Sequence, residues 1–320
     1  MGLQWILVVL MMFQQGHYPD PLVIEQDGHA IVEMNRAQFS DSLPGVPLID
    51  QDKLNIFMDE LEKRVQKPPI NATLDGAGRV LAEHAGSRLD RKMFTEQFYS
   101  FIFEGGFSKL EVPMLTVYPR VDSELLSAIK VKRIGQYATY YNASNKNRSH
   151  NVSLAAKAIN NYVVFPNESF SFNEVVGKRT KEKGYLRAPV IVRGEMSEDV
   201  GGGICQISST LFNAVDRAGL KIVKRYSHSR NVKYVPPGRD ATVSWYGPDF
   251  VFQNKYDQPI LIRAYASNGQ VSIVICSSDD INEKRRQVPS ASKKLPEEVK
   301  SEMDASGSKQ KIDQENEANR

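Results

Sequence analysis

Three consecutive glycines, Gly201-Gly202-Gly203, run directly into Ile204-Cys205-Gln206, and no other stretch limits the fold as sharply. Glycine adopts backbone angles that other residues avoid and lets another group approach its main chain closely. Downstream, Ile207, Leu211, Val215 and Ala218 recur at helical spacing, and Gly219 reads as a C-terminal stop. Cys205 therefore falls in the first turn of a helix. There, unpaired N–H groups and the helix dipole favour a thiolate over a thiol. The same N–H groups suit an oxyanion. Gly202, Gly203 and the side-chain amide of Gln206 are the expected oxyanion or substrate-positioning groups.

A cysteine nucleophile also needs a base and a group that orients it. His228 lies 23 positions beyond Cys205, at the end of the strand-like run 221–226. A helix-then-strand return can bring its ring back to the thiol. Asp240 follows the Pro236-Pro237-Gly238 turn and is the candidate to orient the imidazole. Structural readings stay open for all three residues. A cysteine beside an apolar helix also serves as a small core residue, and His228, between Ser227 and Ser229, also fits a solvated ring.

Other chemistries find less support. The chain has two cysteines, Cys205 and Cys276, too few for a disulfide scaffold or an unaided zinc site. Cys276 sits in an alternating strand pattern and reads as structural. No Lys-Ser/Thr follows the glycines as in a phosphate-binding loop, and no strand–GxGxxG pattern is present. Neither a metal nor a cofactor is expected. Net charge is +3, but residues 127–263 hold 21 Lys/Arg against 10 Asp/Glu. That excess points to an anionic partner. Without a zinc-ligand, basic-zipper or RNA-binding aromatic motif, nucleic acid is not the expected one.

The pattern of the chain is α+β. Strand-like pieces at 22–24 and 30–32 precede a helix over 50–66, whose Leu54, Phe57, Met58, Leu61 and Val65 share one face. Short strands at 72–74 and 79–81 surround a turn. A second helix over 90–104 carries Phe94, Phe98 and Phe101, and 111–118 alternates as a strand. Residues 30–120 thus form a small α+β module without a catalytic constellation, and the lone His84 reads as solvated. Residues 127–280 form a second, β-rich domain with a central helix. Its segments are a strand at 136–141, a polar loop at 142–151, a helix at 152–163, and strands near 170–172, 189–192, 221–226, 241–245, 251–252, 260–265 and 271–275. From Glu283 to Arg320 no aromatic residue occurs among mixed charges, so disorder is expected. At the other end, Trp5–Phe13 is an unbroken apolar run, too short for the ~20 residues that span a bilayer. Residues 1–16 read as a degenerate or truncated export signal, with a buried strand or helix as the alternative.

Several motifs together resemble the VanW-like family. They are Phe170-Ser171-Phe172-Asn173 with Gly177, the run from Asp199 to Ala214, Tyr226-Ser227-His228-Ser229, Tyr234-Val235-Pro236, and Gly238 to Val243. The resemblance covers about 127–280. More weakly, the preceding segment is similar to the peptidoglycan-binding module found before VanW domains. The resemblance implies a bacterial, mostly Gram-positive, extracytoplasmic protein, cell-wall or membrane-associated. The founding member lies in a glycopeptide-resistance cluster. Some VanW-domain proteins are L,D-transpeptidases that form 3–3 cross-links in peptidoglycan, which makes Cys205 the expected nucleophile here. Ser208-Ser209 after the glutamine departs from some relatives and removes no candidate catalytic group.

The implied partners are peptidoglycan stem peptides or another anionic wall polymer. Peripheral membrane association through the N-terminus is also expected. The basic run Lys178, Arg179, Lys181, Lys183, Arg187 and Arg193 suits such a polymer, and Arg187, Arg193 and Arg239 are the expected substrate-binding cations. The alternative function is a non-catalytic protein that binds the wall or its precursors and is linked to the glycopeptide response.

Overall fold

The computed structural model describes residues 21–35, 38–43, 46–104, 109–192 and 195–293. The expected export signal lies outside them, as do Arg193 and residues 294–320. The described chain is mixed α+β and divides into two compact units.

The first unit takes its residues from 21–73 and 81–123. Strands β1 (Pro21–Gln26) and β2 (His29–Asn35) pair antiparallel around Asp27-Gly28, where both residues have positive φ. That is the backbone an Asp-Gly hairpin turn demands. After β3 (Ser40–Leu43) and β4 (Val46–Ile49) comes helix α1 (Gln51–Val65), capped by the Asp50 carboxylate on the Asp52 and Lys53 N–H groups. The short strands β5 (Thr73–Leu74) and β6 (Val80–Leu81) flank a turn. Next come β7 (Gly86–Leu89), helix α2 (Arg91–Glu104), β8 (Lys109–Glu111), parallel to β1, and β9 (Met114–Val117), antiparallel to β7. Leu54, Met58, Leu61 and Val65 bury against Phe94, Phe98 and Phe101 in one cluster, the apolar faces the 3.6-residue period predicts. This unit starts about ten residues before the expected boundary, because β1 supplies the central strand of its sheet.

The second unit comprises 74–80 and everything described from 124 on. The early loop belongs here because Asn161 holds Leu74 by both backbone groups, at 3.2 and 3.0 Å, and Arg263 donates to the Asp75 carbonyl at 2.9 Å. Helix α3 (Ser123–Ile129) leads into β10 (Lys132–Tyr140), helix α4 (Lys146–Ile159), β11 (Tyr162–Val164), β12 (Ser169–Ser171) and the short helix α5 (Phe172–Val176). The hairpin of β13 (Arg187–Val192) and β14 (Glu195–Val200) delivers the chain to helix α6 (Ile204–Arg217). Strands β15 (Lys221–Lys224), β16 (Val251–Gln253), β17 (Ile260–Ser267) and β18 (Gln270–Ser277) follow. An antiparallel sheet in the order β10-β18-β17-β11 forms the floor, and a second sheet runs β12-β16-β15. Helices α4 and α6 pack against each other and the four-stranded sheet. Ile207, Leu211 and Val215 join Ile134, Ile273, Ile275 and Val152 in its core.

Three expectations change. The helix expected at 152–163 begins six residues earlier and ends at Ile159. Asn145 caps it by accepting the Arg148 N–H at 3.0 Å, so its first turns are polar and solvated. The strand expected at 241–245 is irregular backbone: side chains of α6 hold Ala241, while the Thr242 and Ser244 N–H groups go to the Tyr226 and Pro248 carbonyls. Disorder does not begin at Glu283. Val288 is buried, Arg286 N–H donates to the Arg217 carbonyl at 3.0 Å, and the carbonyls of Val288 and Pro289 accept from Arg217 and Tyr137.

Loss of the α4 cap is measurable. Asn145→Ala should lower unfolding stability by about 1 kcal/mol in urea with the denaturant slope unchanged. An unchanged midpoint would contradict the capping account.

Candidate active site

The glycine turn shapes the start of α6. Gly203 has φ of 104°, a conformation that strains any side chain, and it is the residue from which the helix departs. A Cβ on Gly202 would lie 2.4 Å from the Ala188 carbonyl oxygen. The turn therefore lies against β13 too tightly for alanine. Asn151 of α4 clamps the same corner, donating to the carbonyls of Leu186 at 2.8 Å and Gly202 at 3.1 Å and accepting the Leu186 N–H. The Ile204 and Gln206 N–H groups turn back to the Gly201 and Gly203 carbonyls at 3.3 and 3.0 Å. The Gly202, Gly203 and Cys205 N–H groups are not used in the turn and helix bonds of this corner.

Cys205 sits in this first turn, partly exposed, with its sulfur 3.7 Å from the Thr242 hydroxyl and 3.6 Å from the Val243 carbonyl. His228 lies close enough to the Cys205 side chain for each to shift the titration of the other. On its other side, His228 Nδ1 meets Asp240 Oδ2 at 2.5 Å, and the same oxygen accepts the His228 backbone N–H at 2.6 Å. The side chains of His228 and Asp240 are 7% and 8% exposed, so His228 is not the solvated ring its flanking serines allowed. Nδ1 is committed to the carboxylate, which leaves Nε2 to serve the sulfur. Cys205, His228 and Asp240 are thus brought together, in the order thiol, imidazole and carboxylate that a nucleophile–base–orienter arrangement requires.

The line is electrostatically consistent. Burial pushes the Cys205 thiol up, but the hydrogen bond and charge of His228, with contacts from Val243 and Thr242, outweigh it and hold the thiol below its ordinary range. Burial likewise disfavours the imidazolium, yet Cys205 and then Asp240 raise His228 above its ordinary value. Asp240 is lowered, against its burial, by the His228 backbone and side chain. Both shifts run towards the thiolate–imidazolium form of the pair. Arg179 adds a further cation. Burial lowers its pKa while the charge of Cys205 opposes that, and its Nη1 donates to Asn173 Oδ1 at 2.8 Å.

Side chains absent from the motif-level reading hold this geometry. Ser208 Oγ donates to the Ala241 carbonyl at 2.5 Å. Ser209 Oγ accepts the Ala241 N–H at 2.9 Å and donates to the Cys205 carbonyl at 2.7 Å. One turn on, Asn213 Nδ2 donates to the Arg239 carbonyl at 2.7 Å. The 239–241 segment is therefore fastened along α6, which fixes Asp240 relative to Cys205. The Thr242 N–H closes onto the Tyr226 carbonyl at 2.8 Å and draws the His228 segment alongside. Tyr234 packs against the same core, and burial raises its phenol so that it stays neutral. The signal in the sequence was a run of small polar residues on a helix with no solvent-facing alternative, and it is visible only once the helix is known to be buried all round.

Several expected binding residues take other roles. Gln206 is fully buried, and its amide donates to Thr139 Oγ1 at 3.0 Å and to the Tyr140 carbonyl at 3.1 Å, so it is not an oxyanion donor. Its Oε1 instead accepts from Arg148 Nη2 at 2.7 Å. Arg239 is not turned to the thiol. Its guanidinium clamps Asn213 and Asp216, each at 2.7 Å, over the Phe212 ring. Arg187 is exposed on β13, and Arg193 lies outside the described residues. Cys276 is buried in β18 and unpaired by any disulfide. No group of three or more His, Cys, Asp or Glu among the described residues is placed to hold a metal ion.

The family model described as "VanW like protein" matches residues 147–276. The sequence is 54% identical over 301 residues to "Uncharacterized protein YoaR" of Bacillus subtilis (strain 168), covering 94% of this chain and 99% of that one. The chain belongs to the VanW-like family. It is also 33% identical over 119 residues to "Vancomycin B-type resistance protein VanW" of Enterococcus faecalis (strain ATCC 700802 / V583), covering 35% of this chain and 42% of that one. No solved structure matches. The span matched by the VanW-like model contains Cys205, His228 and Asp240 together with the serines that brace them.

Alkylation of Cys205 by iodoacetamide should follow a midpoint below the ~8.5 of a free thiol. His228→Ala should move that midpoint upward, because burial then acts on the thiol without its main opposing contact. Midpoints near 8.5 in both proteins would contradict the thiolate–imidazolium pair.

Proposed function

We propose that the protein is a cysteine acyltransferase of peptidoglycan, an L,D-transpeptidase that forms 3–3 cross-links through a thioester on Cys205. The observation that carries this reading is the grouping, at a helix start, of Cys205 with an electrostatically coupled His228 whose Nδ1 is hydrogen-bonded to Asp240. The Cys205 thiolate attacks the carbonyl carbon of the third stem residue. The Cys205 N–H supports the oxyanion. As the amide C–N bond breaks, the His228 imidazolium gives its proton to the departing amine of the terminal residue, leaving an acyl–sulfur bond. The amine of a neighbouring stem then enters, loses a proton to His228, forms the new amide and releases the sulfur. No cofactor is required: the four bond changes and the two proton transfers through His228 balance within the site.

The cationic surplus of residues 127–263 suits a carboxylate-bearing polymer. The printed name of the enterococcal relative ties that protein to vancomycin resistance, and a role for this chain in the response to glycopeptides follows from the same reading. An exported protein, at the wall or membrane surface, fits such a substrate.

Disaccharide-tetrapeptide incubated with the full chain should give cross-linked dimers or lose its terminal residue by mass spectrometry. Cys205→Ala should reduce either product at least a hundredfold. Equal product from Cys205→Ala and the parent protein would eliminate the enzyme reading. It would favour a wall-binding protein that uses the same cleft without covalent chemistry.

A further inference from the structure

The wall of the thiol site continues beyond Val243 into the turn Ser244-Trp245-Tyr246-Gly247. This turn is tied down. Ser244 N–H donates to the Pro248 carbonyl at 2.8 Å, and Gly247 N–H to the Ser244 carbonyl at 3.2 Å. Asn173 Nδ2 fastens both ends, donating to the Ser244 carbonyl at 2.9 Å and the Pro248 carbonyl at 3.1 Å. Yet the rings it carries face water, with Trp245 40% and Tyr246 84% exposed. Lys178 Nζ lies 5.2 Å from the centroid of the Tyr246 ring. Tyr226 is also exposed and flanks the same wall, because its carbonyl accepts the Thr242 N–H.

Large aromatic rings held in water on a braced turn forgo the burial that drives folding. Tyr246 stands three residues from Val243, so its backbone lies within roughly 11 Å of the carbonyl that touches the Cys205 sulfur.

We infer that Trp245 and Tyr246, with Lys178, form a saccharide subsite that seats the glycan of the wall polymer beside the thiol. The inference rests on the peptidoglycan reading given above. A pyranose presents an apolar C–H face to a flat ring and polar groups at its edge. Trp245 and Tyr246 supply the rings, and Lys178 and the exposed Ser244 supply polar partners for hydroxyl and acetamido groups. A bilayer resting on these rings would cover the adjoining thiol site, whereas a polymer strand can pass along it and leave a stem peptide free to reach Cys205.

Trp5 and Trp245 are the two tryptophans of the chain, so Trp5→Phe in a Cys205→Ala background leaves Trp245 as sole reporter. Its fluorescence should change saturably on titration with the peptide-free tetramer of N-acetylglucosamine. Tyr246→Ala, at a position too exposed to matter for folding, should weaken that binding about tenfold. Trp245→Ala should weaken it similarly by calorimetry. The inference is overturned by no saturable change with the tetramer, by binding that both substitutions leave intact, or by a response to phosphatidylglycerol vesicles without one to the tetramer. Failure here is distinct from failure of the enzyme reading. Absent saccharide binding with a working Cys205 removes only the subsite, and intact binding with an inert Cys205 removes only the acyl transfer.

Discussion

The buried polar face of α6 is the interaction on which the site depends. A helix usually buries one apolar stripe and wets the other side. Here Ile207, Leu211 and Val215 face the core while Ser208, Ser209 and Asn213, on other faces, are equally buried. Those hydroxyls and the amide take up the backbone of 239–241, a stretch without a strand partner among the described residues. Each buried backbone group needs such a partner, and losing one costs about 1–3 kcal/mol. The same contacts place Asp240 beside His228, and His228 beside the cysteine at the head of the helix. Folding and assembly of the site are one event.

Such an arrangement favours chemistry over mere packing. A buried cysteine alone behaves as a small apolar residue, with its thiol raised, as Cys276 shows in β18. Cys205 is shifted the other way because a histidine and an orienting carboxylate are supplied together. Charges taken out of water are tolerated when each is paired and hydrogen-bonded. The Asp240 carboxylate meets that condition through two bonds to His228, whose ring is held in turn by Asp240. The first unit, in contrast, is organised around phenylalanine packing and brings no comparable set of groups together among its described residues.

Much of this was legible in the sequence, for physical reasons that differ by residue. Periodic apolar positions announced α1, α2 and α6, since a 3.6-residue stripe has few other uses. The glycines announced a close approach, borne out at Gly202 against Ala188. The start of α4 was hidden because its first turns are polar, and only the Asn145 cap marks it. Segment 241–245 imitated a strand because alternating apolar side chains also suit irregular backbone braced by a helix. Gln206 and Arg239 had the right functional groups for binding, but a sequence cannot say that Thr139, Tyr140, Asn213 and Asp216 already occupy them. The serines were illegible because hydroxyl groups show their value only against a specific backbone partner.

The most direct test of the account is whether Cys205 carries an acyl group during turnover. The protein is mixed with a tetrapeptide donor in the absence of an acceptor amine, quenched in acid, digested and mapped by mass spectrometry. The account predicts a hydroxylamine-labile acyl adduct, the donor less its terminal residue, on the peptide containing Cys205. It also predicts slower adduct formation in Asp240→Asn. Product formation with no adduct on Cys205, or an adduct borne by another residue, would contradict it.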